Sequence, residues 1–252
     1  DYTPLKTSII VMDPNTGEIL ALANSPTFDL NNPNLISGDM YERKFRIMEE
    51  KTGQPLTETD KLNTVHRNSA ISDTYEPGST FKPLLVAAAF EENLIKETSS
   101  FNCMGGLTIY DKFIGCMGNH GYLTPRQILQ KSCNVGVMEI ASLMGSEKFY
   151  AYQKAFGFGE KTGIDLPGEA SGETLIYTAD RLKPVELATS SFGQSFQLTP
   201  LQMLTSFSAV INGGKLMRPY VVSQAIDKDG SAVYQNNPLE IKQKPFFQNY
   251  II

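Results

Sequence analysis

The sequence predicts an α+β fold in which helices interrupt groups of antiparallel strands. Two apolar runs, residues 7–13 and 18–24, flank a Pro-Asn-Thr-Gly connection, which is typical of a β-hairpin. A second hairpin is expected where residues 220–227 and 232–235 flank a Lys-Asp-Gly turn. Several segments between these hairpins have the end signals of helices.

Several of these helices have identifiable ends. Residues 79–92 are apolar on most sides, which is typical of a buried helix. Thr124-Pro125 fits the N-cap and first position of a helix, and Thr199-Pro200 repeats this signature. Residues 31–61 are polar and uneven, so surface loops with a short helix are expected there. The predicted helices are 79–92, 125–130, 135–144, and one that starts after Thr199 and ends at Gly213-Gly214.

The composition bounds the class of protein. The 252 residues suit one large domain, and 41% hydrophobic with 19% charged residues is ordinary for a globular chain. A net charge of −5 with a pI near 5.2 argues against nucleic acid as a partner. No apolar run approaches the roughly 18 residues that span a bilayer, and the N-terminus shows no signal peptide. We therefore expect a folded chain without its own membrane span.

A serine and a lysine at positions 79 and 82 are the strongest chemical signal. Residues three apart at the start of a helix lie on one face, so the Lys82 amine can take a proton from the Ser79 hydroxyl. Pro77 and Gly78 predict a turn that leads into this helix. Ser79 then lies in the first turn of the helix, where free backbone N–H groups favour developing negative charge. The alternative is that Ser79 merely caps the helix and Lys82 is solvated. The preceding Glu-Pro-Gly and the apolar helix behind favour the catalytic interpretation.

Residues 75–83 resemble the active-site segment of class B high-molecular-weight penicillin-binding proteins, the peptidoglycan D,D-transpeptidases. Other stretches agree in the family's order, and together they cover nearly the whole chain to about residue 222. Each alone is moderately specific, and jointly they are very specific. These stretches are residues 9–23, 66–70, 132–134, 156–169 and 192–203.

The resemblance implies a transpeptidase domain over residues 1–252. Its fold is shared by penicillin-binding proteins and serine β-lactamases, an antiparallel sheet flanked by helices. The family is anchored by an N-terminal membrane helix and acts at the extracytoplasmic face of the bacterial membrane. The implied partners are peptidoglycan stem peptides, β-lactam antibiotics and the glycosyltransferase of a wall-synthesis complex.

A second motif is expected at Ser132-Cys133-Asn134, in the break between two predicted helices. In the resembled enzymes this serine relays a proton between lysine, leaving group and acceptor, and the asparagine holds the substrate amide. Ser-x-Asn is a weak pattern, and residues 100–102 also match it, but only Ser132 lies at a helix–helix break. The alternative for Ser132 is a solvated helix cap.

The third motif of the family, Lys-Thr-Gly, is expected on a strand beyond residue 235, and we do not find it there. The two copies present, residues 51–53 and 161–163, are not expected to be catalytic. Relative to the resembled fold, the C-terminal strands are therefore expected to be missing. The chain ends in an atypical tail at residues 245–252, so we expect a truncated domain. A second chain or segment would complete the sheet, since two strands alone leave a long unpaired edge. This chain alone is predicted to acylate weakly or not at all.

Four residues with zinc-ligand side chains lie close together in the sequence. Cys103, Cys116, His120 and Cys133 follow the pattern C-x12-C-x3-H-x12-C. Three thiolates and an imidazole suit a closed tetrahedral Zn²⁺ site with a structural role. This arrangement resembles that of the elongation-type transpeptidases, in which mixed ligands bind a zinc. One of those ligands is a cysteine at the place that corresponds to Cys133. The alternatives are a Cys103–Cys116 disulfide or three unrelated thiols, of which Cys133 would pack the cleft floor.

The functional prediction is acyl transfer through a covalent ester on Ser79, with Lys82 as base, Ser132 as proton relay and Asn134 as substrate ligand. A β-lactamase or β-lactam sensor is one alternative, because such proteins also carry Ser-Thr-Phe-Lys. The sequence offers no identified group to activate a deacylating water. A truncated, non-catalytic scaffold of a wall-synthesis complex is the other alternative. Neither Glu76 nor the Gly-Gln-Ser at residues 193–195, where the family usually has Gly-Gln-Gly, is given a catalytic role.

Overall fold

The computed structural model describes residues 4–243. Its named strands form four antiparallel pairs, and helices separate the first two pairs and then the second pair from the later strands. The predicted α+β class is confirmed, and the predicted tail at residues 245–252 lies outside the described residues. The pairs are β1 (Thr7–Met12) with β2 (Ile19–Ser25), β3 (Phe101–Ile109) with β4 (Lys112–Leu123), β5 (Lys215–Met217) with β8 (Glu240–Gln243), and β6 (Gln224–Ile226) with β7 (Ala232–Gln235).

The helices surround the most buried segment of the chain. A 3-10 helix, Gly78–Phe81, leads directly into that segment, and a second short 3-10 helix covers Ala179–Arg181. The α-helices are α1 (Asp39–Thr52), α2 (Glu58–His66), α3 (Ser69–Ser72), α4 (Lys82–Glu91), α5 (Pro125–Gln130), α6 (Asn134–Ala155), α7 (Pro184–Ser191) and α8 (Pro200–Ile211).

Helix α4 forms the centre of the core. Its residues from Leu84 to Ala89 are at most 2% exposed, because their side chains are apolar on every face. Phe81, at the entry to α4, packs edge-on against Phe149 and Phe196 with ring centroids 5.8 and 5.2 Å away. Burying one such side chain stabilises the fold by about 2 kcal/mol. The segment in front of α4 is thus held rigidly by the core.

Several predicted elements are confirmed with small changes in their bounds. The β1–β2 and β6–β7 hairpins lie where the sequence predicts them. Helices α5 and α8 start with the predicted Thr-Pro signature, and in both helices the threonine forms a capping box with a glutamine. The helix predicted at residues 79–92 is divided between the 3-10 helix and α4. The helix predicted at residues 135–144 continues to Ala155, with non-helical backbone at Gly145.

The prediction for residues 31–61 was wrong. In place of loops with one short helix, the segment contains α1, with 14 residues, and the start of α2. Helix α1 is mostly polar and buries only Tyr41 and Phe45, which pack against Val65. Such a narrow apolar face gives little periodic signal, although Tyr41, Phe45 and Met48 have helical spacing. The long β3–β4 hairpin was also not predicted.

Within residues 4–243, no helix combines the length and apolar character that crossing a membrane requires.

Candidate active site

The nucleophile candidate lies in a tight turn ahead of the buried helix α4. Gly78 has a φ of +58°, a left-handed conformation that favours glycine, and it turns the chain into the 3-10 helix. Ser79 is exposed on this helix, whereas Lys82 is only 1% exposed. The alternative of a solvated lysine was therefore wrong. An exposed hydroxyl and a buried amine lie within one turn.

The buried ammonium of Lys82 is enclosed by oxygen acceptors. Its Nζ donates to the backbone oxygen of Ser132 at 2.6 Å, to Ser132 Oγ at 3.0 Å and to Asn134 Oδ1 at 2.7 Å. A lysine ammonium has three N–H donors, so these three contacts use all of them. The first and second sequence motifs thus meet at Lys82.

Ser132 links the lysine to the nucleophile. The Ser132 and Ser79 hydroxyl oxygens are 2.9 Å apart, with Ser132 as the donor. Within residues 4–243, Ser79 and Lys82 form no direct hydrogen bond. Their spacing in the sequence had predicted that the proton would pass directly from Ser79 to Lys82. The hydrogen bonds run from Lys82 through Ser132 to Ser79, which suits a two-step proton relay.

An unusual backbone conformation places Ser132 in this relay. Ser132 lies between α5 and α6 with a φ of +51°, which is uncommon outside glycine. A Cβ on Gly136 would lie 2.4 Å from the Ile128 side chain, so glycine lets α5 and α6 approach closely. Asn134 is fixed from the other side, where its Nδ2 donates to the Gly115 carbonyl at 3.2 Å. Backbone strain and close packing together orient the second motif.

Burial lowers the pKa of Lys82 from its usual value by disfavouring the charged amine, and negative charge on Cys116 and Cys133 opposes this effect. The net lowering favours a neutral amine at a lower pH than a free lysine would allow. A neutral Lys82 could accept a proton.

A contact remote in sequence holds the turn before Ser79, and the sequence did not reveal it. The Gly78 N–H donates to the Gly193 carbonyl at 2.9 Å, and the Ser195 N–H donates to Glu76 Oε1 at 2.9 Å. Gly193 has a φ of +80°, and a Cβ there would lie 2.1 Å from the Gly78 oxygen. We call Glu76, Gly78, Gly193 and Ser195 the turn clamp. The Gly-Gln-Ser segment was its only sequence signal.

The four metal-ligand candidates converge on one point, because the β3–β4 hairpin places three of them against the break before α6. The ligand atoms of Cys103, Cys116, His120 and Cys133 all lie within 4.8 Å of one another. Cys116 Sγ is 3.8 Å from Cys133 Sγ and 3.7 Å from His120 Nδ1. Zn–S bonds of about 2.3 Å at tetrahedral angles separate two sulfurs by about 3.8 Å. The donor set therefore fits tetrahedral zinc in both chemistry and spacing.

The hydrogen bonds around the thiols connect them to the second motif. All three cysteines are free thiols, and the Asn134 N–H donates to Cys116 Sγ at 3.2 Å. Burial works to raise the pKa of the Cys116 thiol, but backbone N–H donors including that of Asn134 outweigh it and lower the pKa to about 7. Burial raises the pKa of the Cys133 thiol to about 12.

The remaining motif copies lie in other surroundings. Lys51 and Thr52 end α1, and Gly53 is its left-handed C-cap. The copy at residues 161–163 is held by Glu169, whose carboxylate accepts from Thr162 and Gly163. The second Ser-x-Asn match runs into β3. None of these copies contacts Ser79 or Lys82 through a hydrogen bond within residues 4–243.

The chain is similar to bacterial cell-wall proteins. The family model for the penicillin binding protein transpeptidase domain matches residues 7–251. Stage V sporulation protein D of Bacillus subtilis is 35% identical over 246 residues, covering 96% of this chain and 34% of that protein. Peptidoglycan D,D-transpeptidase FtsI of Escherichia coli is 34% identical over 217 residues, covering 86% of this chain and 32% of that protein. The chain thus spans about a third of the length of these relatives.

A solved structure supports the same family. Penicillin binding protein 3 from Mycobacterium tuberculosis, in complex with aztreonam, aligns with a TM-score of 0.73 and 27% identity. The alignment covers 94% of this chain and 47% of that one. The predicted α+β fold is therefore that of a penicillin-binding transpeptidase. By its match over residues 7–251, the chain belongs to the penicillin binding protein transpeptidase domain family.

Proposed function

We propose that this chain is the nucleophile-bearing part of a peptidoglycan D,D-transpeptidase that works through a serine acyl-enzyme. The observation that carries the proposal is the hydrogen-bonded series Lys82–Ser132–Ser79. The catalytic residues are Ser79 as nucleophile, Lys82 as base, Ser132 as relay and Asn134 as substrate ligand. The domain is proposed to extend over residues 1–252.

Acylation starts when Lys82 is neutral. The Ser79 hydroxyl then passes its proton to Ser132 Oγ while the Ser132 proton moves to Lys82 Nζ, and Ser79 Oγ attacks the carbonyl carbon between two terminal D-alanines. The carbonyl oxygen becomes an oxyanion. When it collapses, the peptide C–N bond breaks, and the D-alanine amine takes a proton from Lys82 through Ser132. The products are a Ser79 ester, free D-alanine and a neutral Lys82.

Deacylation uses the same residues in reverse. An amine of a second stem peptide attacks the ester carbon and gives its proton, through Ser132, to Lys82. Collapse of the second oxyanion breaks the ester C–O bond, and the proton returns from Lys82 to Ser79. A new peptide bond cross-links the two stems. Asn134 orients the donor amide, since its side chain is itself fixed by Lys82 and Gly115.

A β-lactam undergoes the acylation half of this reaction, and the lifetime of the ester that it forms on Ser79 tests the function. In a longer polypeptide that carries this chain with a third motif, we expect labelled penicillin to remain on the protein for many minutes. Ester turnover within seconds would instead indicate a β-lactamase. If no label binds, the non-catalytic scaffold is favoured. This chain alone is predicted to label far more slowly than such a polypeptide.

Zinc is proposed as a structural ion held by Cys103, Cys116, His120 and Cys133. When bound, it supplies four coordinate bonds that tie the β3–β4 hairpin to the second motif, with no open position for substrate. The thiol positions and the N–H donated by Asn134 to Cys116 support this assignment.

We expect about one zinc per chain after purification without chelator. Cys116→Ser is expected to reduce the zinc content and to lower the melting temperature by several degrees, because a closed site contributes directly to folding. Thr98→Ser, at an exposed position before β3, is a control outside the site and should change neither quantity. Zinc far below one per chain, with Cys103 and Cys116 protected from alkylation until reduction, would establish the disulfide alternative.

The location and the partners are proposed on the basis of the family to which the chain belongs. The parent protein is proposed to act at the extracytoplasmic face of the bacterial membrane, anchored by an N-terminal helix, and to cooperate with a glycosyltransferase. A further segment or second chain is proposed to pair with the β1–β2 hairpin, which leaves Ile9, Val11 and Leu20 exposed. Apolar side chains on an unpaired sheet favour such pairing.

A further inference from the structure

A cavity away from the hydrogen bonds of Ser79 and Lys82 is lined by both cationic and anionic side chains. It has a volume of about 580 Å³ and lies among α1, α2, the segment before β1 and the residues that follow α3. Its cationic side chains are Lys6, Lys44 and Arg67, and its carboxylates are Asp60 and Asp73. The lining therefore carries one more positive than negative group.

Both carboxylates already have partners. Asp73 accepts from Lys6 through Oδ2 and from Arg67 Nε through Oδ1. Asp60 Oδ2 accepts from the Thr57 N–H at 3.0 Å and the Thr57 hydroxyl at 2.6 Å, in the capping box that starts α2. Asp73 is thus paired through both oxygens and Asp60 is engaged through Oδ2, and within residues 4–243 neither carboxylate forms an ion pair with Lys44.

Of the three cationic side chains in the lining, Lys6 and Arg67 are paired with Asp73, and Lys44 is not. Its side chain is half-buried, and within residues 4–243 it forms no hydrogen bond or ion pair. Burial lowers its pKa, the Asp73 charge opposes that shift, and Lys6 and Arg67 repel the ammonium further. A half-buried ammonium beside two cations, with Asp73 already paired to both of them, would be stabilised by a further anion.

The rest of the lining indicates what kind of anion would fit. Met48 and Leu56 provide an apolar wall, and the Asn63 side-chain amide makes no hydrogen bond within the described part of the chain. Arg67 uses one N–H for Asp73 and another for the Ser72 carbonyl, which leaves further donors of its guanidinium. One unpaired cation matches a single negative charge, and the apolar wall matches a short aliphatic group.

We propose that this cavity binds an organic monocarboxylate with a short aliphatic group, with Lys44 as its ion-pair partner. Arg67 and Asn63 donate further hydrogen bonds to the carboxylate, and Met48 contacts the aliphatic part. The site is independent of the proposed acyl transfer, because none of its residues contacts Ser79, Lys82, Ser132 or Asn134 through a hydrogen bond within residues 4–243.

The test uses N-acetylleucine as probe and the ¹³C-methyl resonance of Met48 as reporter on this chain. We expect a saturable shift of the Met48 resonance at millimolar probe, while Met138 and Met203, in the main core cluster, stay unchanged. Lys44→Gln is expected to weaken binding about tenfold, and Lys44→Arg to retain it. Asp60→Asn is expected to strengthen binding roughly two- to fivefold by removing a negative charge.

Matched controls decide the outcome. Lys228→Gln removes an exposed lysine from the turn between β6 and β7 and should leave the affinity unchanged. Unchanged Met138 and Met203 resonances in each variant show that the core remains folded. The proposal is contradicted if the methyl ester of the probe or inorganic phosphate shifts Met48 as strongly as the free acid does. It is equally contradicted if Lys44→Gln binds like the unmodified chain, in which case the cavity holds only a salt-bridge network.

Discussion

Replacing Lys82 with methionine is expected to slow penicillin acylation of Ser79 by about 10³-fold in a longer polypeptide that carries the third motif. Methionine fills the same buried channel but has no nitrogen to accept the Ser79 proton. The Ser132 carbonyl, the Ser132 hydroxyl and Asn134 Oδ1 also lose their shared donor. The measurement is the second-order acylation rate constant with a fluorescent penicillin. The Lys96→Met variant, changed at an exposed lysine after α4, should be acylated at the same rate as the unmodified protein.

The same assay distinguishes the relay from direct proton transfer. Because Ser132 Oγ lies between Lys82 Nζ and Ser79 Oγ, Ser132→Ala is expected to slow acylation about 10²-fold. A normal rate in Ser132→Ala together with a slow rate in Lys82→Met would show that Lys82 acts on Ser79 directly. A normal rate in Lys82→Met would remove the lysine from the mechanism altogether.

Gly193→Ala is expected to disturb the nucleophile from a distance. The added Cβ would lie 2.1 Å from the Gly78 oxygen and 2.6 Å from the Gly78 nitrogen, so the turn before Ser79 must move. A displacement of about 1 Å at a reacting group can cost about 10² in rate, and we expect an acylation loss of that size. The melting temperature should also fall, since two backbone segments separate.

Gly230→Ala is a closely matched control. Gly230 has the same φ of +80°, but a Cβ there has no neighbour within 4 Å. Both variants carry the cost of a left-handed alanine, about 1 kcal/mol, and only Gly193→Ala also has the steric clash. Equal acylation rates in the two variants would mean that the turn clamp does not position Ser79.

Much of the site could be predicted because its signals are local. The three-residue spacing of Ser79 and Lys82, the Thr-Pro helix starts and the metal-ligand residue types all depend on nearby sequence. The structure brings Ser79, Lys82, Ser132 and Asn134 together, and it brings Cys103, Cys116, His120 and Cys133 together separately.

The parts that could not be predicted depend on tertiary contacts. The relay through Ser132 depends on its left-handed backbone and on the fit of Ile128 against Gly136, neither of which has a periodic signal. The turn clamp joins Gly78 to Gly193, which are remote in sequence. The polar helix α1 was missed because only Tyr41 and Phe45 are buried. A single sequence does not encode such contacts in any short pattern.

The most direct test is the mass of the penicillin-treated longer polypeptide, with and without Ser79→Ala. We predict a single covalent adduct that maps to the peptide containing residues 75–83, and no adduct in the variant. If the Ser79→Ala variant forms the adduct at the same rate, another residue is the nucleophile. The mechanism proposed for this chain would then be wrong.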